Sequence, residues 1–342
     1  MTTPEIRQQI DARLDDLYER HRSRAEDSGA RYYTAGRGYH GPDRRPGPGD
    51  GRLRDFGIAV AGVEGETHCA GACDVPFPMQ SISKVFTYAL ALEDHGREHV
   101  LERVGVEPSG DSYRSIVFDE RARRPYNPMV NAGALVTADL VRGDDLAEKR
   151  ERLLGLMRRH AGNESLEVDE VVYQGEVEIG DRNRATAYLL RSEGMIAGDA
   201  EEVLALYLQQ CSVAVTCRDL AVMAATLANG GVNPVTGERA LAQRYVRDVL
   251  TVMYTCGMYD FAGQWAFEVG VPAKSGVSGG ILAPIPGKLG LAVFSPGLDA
   301  HGNSIRGVQV CREISGRLGL HVFASEEEDA MLGLRPPAVQ LD

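Results

Sequence analysis

The sequence lacks the features that mark a membrane, secreted or metal-dependent protein. No apolar run reaches the roughly 18 residues that a membrane span needs, and the segment Met1 to Arg7 contains no apolar signal region. Without such a signal, the six cysteines are expected to be free thiols rather than disulfides. The eight histidines are scattered and form no cluster with metal-ligand spacing. These absences predict a cytoplasmic protein that uses neither a metal nor another cofactor.

The chain also lacks an excess of positive charge. Its formal net charge is −12, which opposes nucleic acid or an anionic membrane as the main partner. With 342 residues, 43% of them hydrophobic and 25% charged, the composition is ordinary for a globular protein of one large domain or two smaller ones.

Strand patterns lie near both ends of the chain, and helix patterns lie between them. This order predicts an α/β (α+β) fold, in which one antiparallel sheet is built from both ends and an all-helical lobe packs beside it. The expected sheet lobe comprises roughly residues 1–75 and 255–325, the helical lobe roughly residues 76–254, and residues 36–51 are expected to be a mobile Gly/Pro/Arg-rich loop. Predicted strands are 56–63, 66–71, 264–269, 279–284 and 288–295, and predicted helices are 4–26, 82–92, 128–141, 145–160, 184–192, 199–210, 217–229, 241–254 and 304–318.

In this arrangement the N- and C-terminal helices cover one face of the sheet. The helix that begins near Ser81 is expected between the sheet and the helical lobe, with Gly96 as its stop. A site at that seam would be concave, as ligand sites tend to be.

The pair Ser81 and Lys84 supplies the first chemical hypothesis. A spacing of three residues puts both side chains on one face of a helix. A serine hydroxyl becomes a nucleophile when a base takes its proton, and a lysine whose pKa is lowered by burial is such a base. Acyl transfer therefore competes with the ordinary interpretation, a surface helix start, which is the commoner origin of this tetrapeptide.

The run Lys274-Ser275-Gly276 resembles a motif that recurs on the edge strand of penicillin-recognising serine enzymes. The N–H of Val277 would pair with that of Ser81 as an oxyanion hole, and Tyr259 would relay protons beside Lys84. The alternatives are a Gly-rich β-turn and a tyrosine of the core or rim.

Three further polar residues are candidates for binding a substrate. Asn131 falls one turn inside an apolar helix, where its amide needs a partner. Glu176 would pair with a ligand ammonium, and Asn183 follows it beyond Gly180-Asp181-Arg182. The alternative for Glu176 is a solvated acidic loop shared with Glu178 and Asp181.

With these residues assembled, the chain strongly resembles the serine-dependent glutaminases, whose relatives by fold are the serine β-lactamases and penicillin-binding proteins. The resemblance runs from about residue 55 to residue 314 and is carried by seven blocks: 76–86, 107–112, 126–135, 180–183, 210–231, 256–282 and 294–307.

The resemblance implies an enzyme of β-lactamase-like fold that hydrolyses L-glutamine to L-glutamate and ammonia, typically as a homo-oligomer (dimer or tetramer). Ser81 matches the family's nucleophile and Lys84 its activating lysine. The residues that match its substrate contacts are Ser81, Asn131, Glu176, Asn183, Tyr207, Tyr259 and, through its backbone, Val277.

Two departures and two rival functions accompany this interpretation. The family's N-terminal site tyrosine corresponds to Tyr32 or Tyr33, with Tyr32 the slightly better match, and Gly175 replaces a serine beside Glu176. The rivals are a penicillin-reactive enzyme, which a fluorescent penicillin would label, and a silent amino-acid-binding protein, which would release no ammonia.

Overall fold

A computed structural model describes residues 3–22, 32–34, 38–40, 55–111, 116, 118–119 and 121–324 of the chain. Its strands, in chain order, are β1 Tyr32–Thr34, β2 Gly38–His40, β3 Gly57–Gly62, β4 Thr67–Gly71, β5 Phe77–Pro78, β6 Phe118–Asp119, β7 Arg124–Pro125, β8 Ala214–Val215, β9 Lys274–Ser275, β10 Gly280–Ile285 and β11 Leu289–Phe294. Its helices are α1 Thr3–His21, α2 Ser83–Arg103, α3 Asn131–Asp139, α4 Leu146–Ala161, α5 Glu170–Ile179, α6 Asp181–Ser192, α7 Ala200–Cys211, α8 Cys217–Ala228, α9 Gln243–Cys256, α10 Ala262–Glu268 and α11 Ile305–Leu318. Short 3-10 turns lie at Gln80–Ile82 and Tyr259–Phe261.

The main sheet has five antiparallel strands in the order β4-β3-β11-β10-β9. Two strands come from the N-terminal part of the chain and three from the C-terminal part. The prediction of one sheet built from both ends is therefore confirmed. The short strand β9 carries the Lys-Ser-Gly motif at an edge of this sheet, as expected.

The two faces of the sheet carry side chains of different size, because successive residues of a strand point to opposite sides. Ile58, Leu291 and Val293 pack with α1 and α11, which cover one face as predicted. The other face is lined by small residues such as Ala59 and Ala292 and packs against α8. At Gly290 the approach is closest, since an added Cβ would lie 2.1 Å from the backbone nitrogen of Ala225.

The position of the Ser81 helix differs from the prediction. Helix α8, rather than α2, lies between the sheet and the other helices. Helix α2 packs among α3, α4, α7 and α9, and the 3-10 turn before it contacts β9 and β10. Gly96 (φ 79°, ψ 164°) has non-helical backbone and ends the helical segment that begins at Ser83, as predicted, and a second helical segment follows it to Arg103.

One segment was predicted wrongly, and one helix was not predicted. Residues 264–269, predicted as a strand, belong mostly to α10, because Trp265 and Val269 are four residues apart and both bury fully on one helical face. Residues 170–179, for which no helix was predicted, form α5, whose start is capped by the Asp169 side chain.

Some predictions fall on residues that the structure does not describe. The first helix was predicted to reach about residue 26, and the described part ends at His21. Of the predicted loop 36–51, only β2 is described, and the rest lies outside the described residues. Among the residues that the structure covers, no helix is long and apolar enough to cross a membrane.

Candidate active site

Ser81 sits where a tight turn enters helix α2. The segment before it is fixed by the pairing of β5 with β8 and by a hydrogen bond from the Met79 N–H to the Val213 carbonyl. Gln80 then adopts φ 52°, a left-handed conformation that costs free energy in a non-glycine residue. The turn leaves the Ser81 side chain 7% exposed, so its hydroxyl is nearly enclosed.

Lys84 contacts the Ser81 hydroxyl directly. Its Nζ lies 2.6 Å from Ser81 Oγ and donates a hydrogen bond to it. Lys84 is fully buried, and burial lowers its pKa to about 8, against a smaller opposing effect of the Cys211 thiol. A lysine with such a pKa loses its proton far more readily than one in water, so this pair has the geometry of a nucleophile and its base.

Strand β9 and the turn after it close the site on the other side. Gly276 lies so close to Ser81's segment that an added Cβ would be 2.8 Å from the Met79 carbonyl oxygen. The Val277 N–H, one residue later, makes no backbone hydrogen bond within the described ranges. This places a backbone donor without a backbone acceptor beside the serine segment, as an oxyanion hole requires.

Tyr259 lies over β9. Its own backbone is left-handed, with φ 59°, as that of Gln80 is. Its hydroxyl donates to the Ser275 carbonyl oxygen at 3.0 Å. The same carbonyl accepts from Lys274 Nζ at 2.8 Å, and that nitrogen lies 4.0 Å from the centre of the Tyr259 ring. Burial first, and the charge of Lys84 second, hold the pKa of Lys274 well below its usual range.

Glu176 lies on α5, with its carboxylate in the site rather than in solvent. Its side chain is 8% exposed, whereas Glu178 on the same helix is exposed. Gln80 Nε2 donates to Glu176 Oε1 at 3.0 Å, and burial raises the pKa of Glu176 to about 7. The alternative of a solvated acidic loop is therefore wrong for Glu176.

Asn131, Asn183 and Tyr207 lie on helices α3, α6 and α7. Asn131 Nδ2 donates to Asn183 Oδ1 at 2.9 Å, while the buried Asn131 Oδ1 has no hydrogen-bond partner among the described residues. Tyr207 is buried, with its ring centre 5.5 Å from Lys84 Nζ. Burial raises the pKa of Tyr207 well above its usual value, and Cys211, Glu176 and Tyr259 add to that shift. These contacts bring Tyr207 together with the serine, lysine and glutamate side of the site.

The N-terminal tyrosine is located only through its backbone. Strand β1 pairs with β2, with Tyr32 opposite His40, and β2 packs against α5, the helix that carries Glu176. Both Tyr32 and Tyr33 belong to this two-stranded element, so the choice between them stays open.

Sequence reasoning missed Gln80 and did not predict the position of Lys274. Gln80 was not singled out because its contact with Glu176 depends on a left-handed backbone that no local pattern announces. Lys274 was seen as part of a motif, but its position above the Tyr259 ring follows only from the fold. Within the described ranges, no group of three or more His, Cys, Asp or Glu side chains could hold a metal ion.

Comparisons with known proteins agree with this geometry. The family model described as Glutaminase matches residues 51–323. A glutaminase of Trichormus variabilis is 57% identical over 268 residues, which cover 78% of this chain and 80% of that protein. Glutaminase 2 of Clostridium perfringens is 48% identical over 79% of this chain and 89% of its own length.

Solved structures give the same answer at the level of the fold. The crystal structure of Mglu superposes with a TM-score of 0.83 and 41% identity, covering 96% of this chain and 78% of that one. A structure of Mglu in its glutamate form has a TM-score of 0.82 and 41% identity, covering 96% and 72%. A Bacillus glutaminase has a TM-score of 0.82 and 34% identity, covering 92% and all of its chain. On the matched sequence, the shared fold and the serine–lysine site, this chain belongs to the glutaminase family.

Proposed function

We propose that this glutaminase works through a covalent glutamyl ester on Ser81. As a glutaminase, it converts L-glutamine and water to L-glutamate and ammonia. The observation that carries the covalent mechanism is the 2.6 Å contact between Lys84 Nζ and Ser81 Oγ, made by a fully buried lysine whose pKa is lowered to about 8.

Lys84 is the immediate base in this mechanism. In its neutral form it accepts the Ser81 proton while Oγ attacks the side-chain carboxamide carbon of glutamine. The same nitrogen then passes that proton to the leaving ammonia, later takes one from the water that attacks the ester, and returns it to Ser81 Oγ as the ester bond breaks. Tyr259 serves as a relay rather than as the first acceptor, because its hydroxyl bonds to the Ser275 carbonyl.

The oxyanion of each tetrahedral intermediate is held by the backbone N–H groups of Ser81 and Val277. The close approach of Gly276 to Met79 supports this pairing, since it brings the turn after β9 against the serine segment. Donors fixed in a backbone need no reorganisation when charge develops on the substrate oxygen.

The helical lobe binds the α-ammonium and α-carboxylate groups of the substrate. Glu176, held by Gln80, pairs with the α-ammonium, while Asn131, Asn183 and Tyr207 fix the α-carboxylate and the chain. The buried Asn131 oxygen without a partner in the described ranges supports a polar ligand there. Simple amides leave these groups unpaired, so the site selects for an intact amino acid. One of Tyr32 and Tyr33 completes this side, supported by the packing of β2 on α5.

The five-stranded antiparallel sheet with helices on both faces supports a β-lactamase-like fold for this chain. We treat residues 1–342 as one domain with two lobes, divided near residues 75 and 255. A homo-oligomer and a cytoplasmic location stay predictions from the sequence.

Ammonia release from a panel of amides tests this mechanism. Ser81→Ala is expected to lower kcat for glutamine by on the order of 10⁶, because a nucleophile that acts with its base as one unit is lost. Ser192→Ala, which removes an exposed serine hydroxyl at the end of α6, is the control and is expected to match the wild type. Turnover by a clean Ser81→Ala preparation within tenfold of the control would overturn the mechanism.

A further inference from the structure

A second cavity lies on the face of the sheet opposite the active site. It has a volume of about 240 Å³ and is enclosed by α1, by the end of the β3–β11 pair and by α11. One water needs only about 10–15 Å³, so the space is large enough for an organic ligand. None of the residues of the serine site lines it.

The walls of this cavity are aliphatic. Leu14 and Leu17 come from α1, Val60 and Leu289 from the sheet, and Ile314 and Leu318 from α11. These six side chains offer no hydrogen-bonding group, so the part of the cavity that they line favours an alkyl chain over a polar ligand.

Three arginines also line the cavity, and their charge is not fully balanced. Arg20 pairs with Asp16 and Glu313, and Arg317 shares Glu313. Two carboxylates therefore face three guanidinium groups.

The positive charge that these two carboxylates leave unbalanced is that of Arg13. Within the described ranges it makes no ion pair, and its Nη1 is buried without a hydrogen-bond partner. A buried donor left without an acceptor costs free energy, which an anionic ligand group would recover through a charge-assisted hydrogen bond.

We propose that this cavity binds one amphipathic anion, a straight-chain monocarboxylate of medium length. Its alkyl chain lies between α1 and α11, and its carboxylate accepts from Arg13. A neutral chain would leave the guanidinium nitrogen unpaired, and a small hydrophilic anion would leave the aliphatic walls unfilled.

Titration calorimetry with octanoate, and with octanol as its neutral counterpart, tests the proposal on the full-length protein. Octanoate is expected to bind saturably with one site per chain, and octanol about tenfold more weakly, since it cannot form the charged hydrogen bond. This comparison uses the wild-type protein alone, so its result does not depend on whether a variant folds.

Two variants of the same helix sharpen the test. Arg13→Gln is expected to reduce octanoate affinity to that of octanol, whereas Arg7→Gln, an equal change of charge at an exposed position outside the cavity, is expected to have no effect. Both are expected to keep wild-type glutamine turnover, which confirms folding.

The proposal is overturned by binding that never saturates, by equal affinity of octanoate and octanol for the wild type, or by an Arg7→Gln effect as large as that of Arg13→Gln. Binding that appears only after removal of residues 325–342 would also overturn it, because the chain's own end would then be the occupant.

Discussion

At the scale of single residues, the site depends on burying charges that water would otherwise stabilise. Lys84 and Lys274 are both fully buried, and for each, burial is the first cause of a lowered pKa. Glu176 is shifted in the opposite direction by the same cause. Burial therefore disfavours the charged form of each group, and its pKa approaches the range in which an enzyme transfers protons.

Lys84→Ala is expected to remove nearly all glutaminase activity, because no other base contacts Ser81 Oγ in the described part of the chain. The double variant Ser81→Ala with Lys84→Ala is expected to be no worse than either single variant, since the two groups act as a unit. Steady-state ammonia release measures both, with Lys288→Ala, an exposed lysine, as the control. A Lys84→Ala enzyme within about tenfold of that control would contradict the assignment.

Glu176→Gln is expected to lower kcat/KM for glutamine by roughly 30- to 4,000-fold, because losing the counter-charge of a buried ammonium costs roughly 2–5 kcal/mol. An analogue without the α-amine never used that charge, so its kcat/KM is expected to change little. The ratio of the two specificity constants, in wild type and variant, is the measurement. Glu178→Gln, on the exposed side of the same helix, is the control, and an unchanged ratio in Glu176→Gln would refute the ammonium contact.

The same glutamate gives the activity a pH dependence. Its pKa is about 7, and only the ionised carboxylate pairs with an ammonium, so kcat/KM of the wild type is expected to rise as the pH increases through 7. Lys84 adds a rise near pH 8, since it acts as a base only when neutral. Glu176→Gln is expected to lose the first rise and keep the second. A variant profile that superposes on the wild-type profile would contradict this.

At the scale of elements, several of the predicted helices carry their own start signals, although α5, which Asp169 caps, was not predicted. Asp145, Asp199 and Ser304 each accept a hydrogen bond from the first turn of the helix that follows, and all three helices were predicted at these positions. Segments without a clear period were predicted less well. Residues 264–269 have three apolar residues in a row between Gln264 and Glu268, and in the structure Trp265 and Val269 are buried while Phe267 is exposed.

The candidate site was predictable in its chemical groups but not in its contacts. Ser81 and Lys84 are three residues apart, so their contact follows from helical geometry alone. The contact between Gln80 and Glu176 joins residues 96 positions apart and depends on how α5 packs, which no local pattern specifies.

The packing of α8 on the sheet predicts a steric effect at Gly290. A Cβ there would lie 2.1 Å from the Ala225 nitrogen and 2.2 Å from the Ala221 oxygen. Both are backbone atoms of a helix, which cannot move away as the end of a flexible side chain could. Gly290→Ala is expected to destabilise the fold by about 1–3 kcal/mol or more. In α11, Gly316→Ala meets no atom within 4 Å and is expected to be neutral or to stabilise by about 0.5–1 kcal/mol. Thermal unfolding of both variants is the measurement, and equal Tm values would contradict the packing.

At the scale of the whole molecule, the larger of two hydrophobic clusters extends from one face of the sheet into the helices beside it. A single cluster joins the sheet residues Ala59, Leu282 and Phe294 to buried side chains of α2, α7 and α8. The hydrophobic packing is therefore continuous across the region that carries Ser81, and this region is not expected to act as a hinge.

This continuity predicts that the lobes unfold together. Calorimetry, near-ultraviolet and far-ultraviolet circular dichroism are expected to report one coincident transition, although chains of this size often unfold in steps. Two resolved transitions, or a loss of tertiary signal well before the loss of helix, would show that the lobes are separate units.

The left-handed backbone at Gln80 and Tyr259 has a consequence for the evolution of this enzyme. These are two of the three non-glycine residues with positive φ in the described ranges, and each such conformation costs on the order of 1–3 kcal/mol. Glycine or asparagine would relieve that cost, but at position 80 glycine removes the amide that holds Glu176 and asparagine shortens its reach by one methylene, while at position 259 either residue removes the phenol above β9. A laboratory selection for heat tolerance alone is therefore expected to enrich glycine or asparagine at both positions, and the lineages that gain the most heat tolerance should be the first to lose catalysis.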